Sequence, residues 1–600
     1  MIDDDESNRW QQLKNTRVNR KLINKRVRRA SDVTLRHARK FVFKRWSNIR
    51  EVRWNVLVWS VALGVLIAAT GLQVMWYQQS YRTSAAAVGG TYAEAVLGPV
   101  DTLNPLFASS HAEQSLSRLL FSRLFIYDAS GHLKGDLATT MSIDSSNKIY
   151  TIKIRPDVTW QDGYRLTASD VAFTIGLLKN PAVRSTSPED WSRISIKVID
   201  DMTLEFTLPA VIAAFPHALT FPIVPEHVLS KVGPNSLREN MFSNSPVGSG
   251  PFRLRLLQDI DANSGLKVVH LERNTNYYGG LSKVEFFQVH VYSTQGQILR
   301  ALSTGEVNAA ADLSSSDTKQ VDTKRYKLDA TPVKSGVYAL FNTTKGALQD
   351  KAVRSALQSG TNTAAIISQL PLGTPHLDLP FIDGQLTGEV PKAPAYDVAN
   401  AKKLLDDAGW QLDSSGHRAK NGQALKLSVV TIKDNDYERV LETLAGQWRE
   451  LGVQIDTVVI DPSDTSRNAA QETLQSRDYD VLIYQLSIGA DPDIYAYWHS
   501  SQANPLGLNL SNYSDRIADD ALVSARSRLE PGLRNAKYIT FSKQWLADAP
   551  AVGLYQSVAY YVTSYNDQSY NDKNVFVSQF DRYQDVLYWS AGSQAVYKTP

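Results

Sequence analysis

The longest apolar pattern in the chain covers residues 54–77, 24 positions without a charge. As a helix at ~1.5 Å per residue it extends ~36 Å, enough to cross a ~30 Å hydrocarbon core with some tilt. Trp54 and Trp59 lie toward one end and Trp76 and Tyr77 at the other, where amphipathic rings favour the membrane–water boundary. Beyond a small, polar stretch at 78–90 the pattern breaks into short alternating and helical periods. Tyr150, Ile152 and Ile154 alternate with Thr151, Lys153 and Arg155, which predicts a half-buried strand. Thr167-Ala168-Ser169-Asp170 reads as a capping box opening a helix to about Leu178. Residues 196–199 and 204–208, on either side of Asp200-Asp201, predict a hairpin. Further strands are expected at 266–272, 284–292, 453–460, 481–486 and 552–562. Asp397 can cap a helix that buries Ala401, Leu404, Leu405 and Ala408 and stops at Gly409. Helical periods also run through 437–451, 516–529 and 533–547. Strands and helices interleave without internal repeats, so the class is α/β or α+β.

Charge sharpens the asymmetry around the apolar stretch. Residues 1–53 hold 16 basic and 6 acidic side chains, and the rest of the chain 48 and 55. A net +10 on one side therefore faces a net −7 on the other. The positive-inside rule puts the N-terminus in the cytoplasm and the large C-terminal part outside. The tail is expected to touch anionic lipid, at ~1 kcal/mol per basic residue near the surface, and not nucleic acid. Val42, Trp46, Ile49 and Val52 fall at near-helical spacing and could lie along the headgroups. Small residues at Ser84-Ala85-Ala86-Ala87 offer a cleavage site. The apolar run, however, exceeds the roughly 7–15-residue core of a cleaved signal, and the segment before it is too long. An uncleaved signal anchor is the expectation.

The chain has no cysteine. Disulfides, thiol catalysis, cysteine-ligated zinc, iron–sulfur clusters and a lipidated cysteine are all excluded. The ten histidines form no H-E-x-x-H, Gly248-Ser249-Gly250 does not complete G-x-S-x-G, and no G-x-x-x-x-G-K-(S/T) is present. No catalytic residue, cofactor or metal site is expected.

Seven motifs in order then carry a resemblance. Asp101-Thr102-Leu103-Asn104-Pro105-Leu106 is similar to an opening L-D-P segment, and YTIKIRPDVTWQDGYRLTASDVAFTI at 150–175 to a Y-x-(F/I)-x-(L/I)-R signature ending in T-A-x-D-V. Pro246 to Phe252 resembles P-V-G-T-G-P-Y, and Arg273-Asn274 with Tyr277-Tyr278-Gly279-Gly280 resembles R-N-P-x-Y-W-G-G. Ala301-Leu302 with Gly305-Glu306-Val307, Phe341-Asn342 with Asp350-Lys351-Ala352-Val353-Arg354, and Tyr396-Asp397 with Ala401 to Trp410 complete the set. Ser122-Arg123-Leu124-Phe125 departs from the usual Tyr/Phe-Glu-Gly-Leu. Over roughly 90–590 the chain resembles the peptide/nickel family of extracytoplasmic solute-binding proteins of ABC importers. Most of these motifs read as scaffold. Gly248 and Gly250 can supply positive φ in a turn, Asp162-Gly163 can turn between strand and helix, and Asp350 and Arg354 can pair one helical turn apart.

The resemblance implies an α/β, two-lobed periplasmic-binding-protein-like fold of the large, three-subdomain type, plus one N-terminal transmembrane helix. The expected organisation is a basic cytoplasmic tail at 1–53, the anchor at 54–77 and a linker at 78–90. Lobe I would take 91–333, lobe II 334–550, and lobe I again 551–600, with hinge crossings near 331–336 and 549–555. It further implies that Asp491, in the loop after the strand at 481–486, pairs with the α-ammonium of a peptide. Asn104, Tyr338, Tyr495 and Trp498 are expected near the cleft, and no arginine stands out for a ligand carboxylate. The implied function is a monomeric, membrane-anchored protein that captures peptide or a similar amine-bearing solute and delivers it to ABC permease subunits. A solute-sensing receptor of the same fold, signalling through the basic tail, is the alternative.

Overall fold

The computed structural model describes residues 53–186, 191–261, 265–371, 373–461 and 469–597, so the basic tail before Arg53 lies outside the described residues. The chain divides into two units, residues 86–594 and the flanking 1–85 with 595–600. In the flanking unit the helix Arg53–Tyr81 has no acidic residue in its first turn and no basic residue in its last, and its apolar side chains are exposed, Trp54 by 72% and Leu66 by 64%. Among the described residues it is the one helix long and apolar enough to cross a bilayer. It runs four residues past Tyr77, and the strand Arg82–Ala86 follows inside the segment expected to be a linker.

The main unit is built on one ten-stranded sheet. In chain order its strands are β1 (Thr91–Leu97), β2 (Phe252–Asp261), β3 (Leu266–Arg273), β4 (Phe286–Tyr292), β5 (Ala309–Ala310), β6 (Tyr326–Phe341), β7 (Lys426–Ile432), β8 (Gln454–Ile460), β9 (Val481–Ser487) and β10 (Ala551–Ser564). They lie side by side as β8-β7-β9-β6-β10-β5-β1-β4-β3-β2. β1 runs parallel to β4 and β5, and β7 parallel to β8 and β9, whereas β6 and β10 are antiparallel to each other. Parallel neighbours need crossover connections, which is why helical segments fill the sequence between these strands.

Burial divides this sheet into two halves. Tyr92, Val96, Phe287, Val289 and Trp589 belong to a core around β1, β3 and β4. Val337, Phe341, Val429, Ile483 and Leu554 belong to another around β7 and β9, packed against Leu444 and Trp448 of the helix Asn435–Glu450. Only β6 and β10 run through both halves. Their pairing breaks between Pro332 and Gly336, where Val333 bridges to Phe576 and the Lys334 N–H reaches the Val577 carbonyl. A separate four-stranded sheet, Ala138–Ile143, Ile149–Ile154, Thr203–Thr207 and Ser195–Asp200 in that lateral order, packs with the helix Ala168–Lys179 around Trp160 and Phe206.

Two local expectations change. Gly248 and Gly250 do not adopt positive φ; a Cβ on Gly248 would stand 2.0 Å from the Leu120 carbonyl oxygen and one on Gly250 2.6 Å from that of Leu119. Close backbone approach, and not turn handedness, demands glycine there. Asp350 does not pair with Arg354 but accepts the Ala352 N–H as a helix cap. The Arg354 guanidinium instead donates to the carbonyls of Leu348, Gln349 and Asp548, tying the helix Lys351–Ser359 to the end of the helix Pro531–Asp548.

Candidate ligand-binding site

A cavity of about 440 Å³ opens where the parallel strands of both halves end. Leu97 ends β1, Ala311 to Ser314 follow β5, Asp434 follows β7, and Tyr484 and Gln485 lie within β9. Tyr555 to Tyr561 of β10 form its back wall. Such sheets bind ligands in crevices at the carboxyl ends of their strands, where successive connections leave in opposite directions. The size lies within the usual range for small-ligand sites, roughly 300–1,000 Å³.

The charged groups around the cavity are mostly matched. Asp312 sits at φ 62, a left-handed conformation that asparagine and aspartate tolerate better than most residues. Its Oδ1 lies 2.9 Å from His111 Nδ1, and its Oδ2 accepts the Leu97 N–H at 3.1 Å. Partial burial works against charge on His111, yet the Asp312 carboxylate outweighs it and raises the imidazole above its ordinary value. Burial likewise opposes the Asp312 charge, and His111 prevails, holding the carboxyl low. Beneath them Arg582 donates from Nε to buried Glu94 at 3.0 Å, from Nη2 to Ser115 and Tyr583, and from Nη1 to the Gln579 carbonyl.

Two further carboxylates stand at the start of the helix Asn435–Glu450. Asp434 caps it: its Oδ1 accepts the N–H of Asp436 at 2.8 Å and of Tyr437 at 3.2 Å. Burial and then the Asp436 charge raise the Asp434 carboxyl above its ordinary value. Asp436 accepts the Ser315 N–H at 3.1 Å and its hydroxyl at 2.5 Å, and is paired with Arg439. These contacts, with Asn435 Nδ2 to Gln295 Oε1 at 3.4 Å, join the two halves along one flank of the cleft. The Ala213 N–H, next to Ile212 on the four-stranded sheet's core, donates to the Arg526 carbonyl at 2.9 Å. The halves are thus drawn together around the cavity.

None of the five residues expected from the sequence lines this cavity. Asp491 forms a two-pronged ion pair with Arg534, which also donates to the Tyr538 hydroxyl. That pair bears on His217 of the turn Phe215–Ala218, where burial lowers the imidazole, Asp491 raises it and Arg534 lowers it. Asn104 is fully buried and caps the 3-10 turn Pro105–Phe107. Tyr338 is fully buried, donates to the Leu379 carbonyl, and meets the edge of Trp498 at 6.1 Å. Tyr495 stacks on His499 at 4.2 Å, with the Arg526 guanidinium over its ring. Tyr338 and Trp498 are brought together as core; Asp491 and Tyr495 lie in the segment after β9, and Asn104 in the segment after β1. Asp434, Tyr484 and Tyr555 went unread. The position of Asp434, directly between a strand and a helix, was the available signal.

Among the described residues no group of three or more His, Cys, Asp or Glu side chains could hold a metal ion. Comparison with known proteins places this geometry in context. Residues 132–506 match the family described as bacterial extracellular solute-binding proteins, family 5 Middle. The oligopeptide-binding protein AppA of Bacillus subtilis (strain 168) is 26% identical over 482 residues, which covers 78% of this chain and 86% of that one. The structure of AppA in complex with a nonapeptide superposes with a TM-score of 0.71 at 23% identity, covering 84% of this chain and 99% of AppA. NikZ from Campylobacter jejuni in complex with Ni(L-His) gives 0.72 at 22% identity and the same coverage. Members of this family bind solutes and catalyse no reaction. The chain belongs to family 5 of the bacterial extracellular solute-binding proteins, the peptide- and nickel-binding proteins of ABC importers.

Proposed function

We propose that this chain captures a peptide or another amine-bearing solute between two hinged lobes on the outer side of the membrane and hands it to ABC permease subunits. One observation carries the reading: the cavity is shared by two halves of the sheet that only β6 and β10 connect. In this reading lobe I takes 91–333 and returns at 551–600, lobe II takes 334–550, and the break in the β6–β10 pairing is the hinge. Bending two strands while the cores on either side stay rigid is the motion such proteins use to enclose a ligand. The relatives named as oligopeptide-binding proteins support peptide as the solute.

The helix Arg53–Tyr81 supports tethering, because a chain without cysteine cannot be held through a lipidated cysteine and this apolar helix can take that part. Its exposed apolar girth and the basic segment before it favour a single pass with the N-terminus in the cytoplasm. Mass spectrometry of the full chain, purified in detergent and then denatured, should release a bound solute carrying amines in near-stoichiometric amount. Failure to release any solute, together with no saturable binding of a peptide mixture, would refute the assignment.

A further inference from the structure

We propose that a cationic group of the bound solute, an ammonium or guanidinium, is received inside the cavity by Asp434 together with the Tyr555 hydroxyl, and not at Asp491. The inference rests on the solute-binding reading above and names the chemistry of that same site. Asp312 is matched by His111, Asp436 by Ser315 and Arg439, and Arg582 by Glu94. Asp434 is left. Its Oδ1 serves the helix cap, and among the described residues its Oδ2 has no protein partner.

The second observation is independent of that carboxylate. Tyr555 lines the cavity at only 6% exposure, and its hydroxyl finds no hydrogen-bond partner among the described residues. A buried hydroxyl is ordinarily satisfied, so one that opens on a cavity marks where a ligand atom belongs. Tyr437 and Tyr484 line the same wall, and aromatic faces favour a cation beside them.

An anion is disfavoured here for two reasons. The amides at the start of the helix Asn435–Glu450, which would otherwise draw one, are already occupied by Asp434 Oδ1. The guanidinium of Arg582, the cation beneath the cavity, is engaged by Glu94, Ser115, Tyr583 and the Gln579 carbonyl. Asp491 offers no comparable vacancy, since Arg534 grips both of its oxygens.

Calorimetric titration of the full chain in detergent tests the assignment. The probes are a mixture of short peptides with free N-termini and lysine side chains, and the same mixture with every amine acetylated. Asp434→Asn keeps a good helix cap while removing the charge, so the helix start is retained. It should weaken binding of the amine-bearing mixture by about tenfold or more and abolish the preference over the acetylated one. Tyr555→Phe should lose about threefold to tenfold, and Asp491→Asn should stay within about twofold. If Asp434→Asn binds the amine-bearing mixture as the native chain does, or if Asp491→Asn alone loses it, the inference is overturned while the solute-binding reading stands. If the native chain binds neither mixture, the solute-binding reading itself falls.

Discussion

Arg582 and Glu94 meet with 3% and 0% of their side chains exposed, and both reach hydroxyls or carbonyls as well as each other. Removing charges from water costs several kcal/mol each, so such a pair persists only where its remaining hydrogen bonds are made. That condition is met here, and it anchors the C-terminal segment 579–583 to β1, 488 residues away in sequence for the ionic contact. The glycines of Pro246-Val247-Gly248-Ser249-Gly250 act by a different route. Ser122 donates its N–H to Ser249 Oγ and its hydroxyl to the Ser249 carbonyl, which draws the two backbones together. Gly248→Ala would place a Cβ against the Leu120 carbonyl and should destabilise the fold by ~1–3 kcal/mol. Gly176→Ala is the control: it is exposed on the helix Ala168–Lys179 with nothing near a new Cβ, and should be neutral or slightly stabilising. Chemical denaturation of the two variants beside the native chain checks the contrast. The motif itself was visible in the sequence, but a contact with Leu120 across 128 positions leaves no local trace.

At the scale of elements, recognition from pattern depended on how many faces an element buries. The strand Ile149–Ile154 alternates because one face is covered, and the helix Asn435–Glu450 buries Val440, Leu441, Leu444, Ala445 and Trp448 along one stripe. Both could be read from their periods. β6 could not. Its first half alternates, its second half is buried on both faces from Ser335 onward, and Pro332 and Gly336 interrupt it. This long strand therefore carries a mixed signal, although its partner β10 is apolar enough to be evident. The contact of Ser315 with Asp436 joins elements from the two halves of the sheet. Ser315→Ala removes the hydroxyl donor to a charged acceptor, an interaction of about 1.5–3 kcal/mol. We expect the unliganded protein to open, seen as a larger radius of gyration in small-angle scattering, and bound solute to leave about tenfold faster. Unchanged scattering and an unchanged dissociation rate would remove this contact from the closing mechanism.

At the scale of the whole molecule, the division into a short basic segment, an apolar helix and a long mixed remainder is a matter of composition. Twenty-four residues without charge need no tertiary context to favour lipid, because each buried methylene gains ~0.8 kcal/mol and no partner helix is required. The full chain should accordingly stay with membranes in high salt and be released by detergent, with no shorter form beginning near Ala87. Extraction into salt alone would mean that only the basic tail holds it. The sequence by itself thus determined the long apolar helix, the alternation of strands and helices, and the family, since each is encoded in neighbouring residues or in motifs kept in order. Tertiary structure alone decided which side chains share the cleft. Asp434, Tyr555 and Asp312 come from segments 121 to 243 positions apart, and Asp491, though close to β9 in sequence, is claimed by Arg534 from the helix Pro531–Asp548. Local pattern reports what one segment buries; which charges find partners across the chain depends on the packing that brings those segments together.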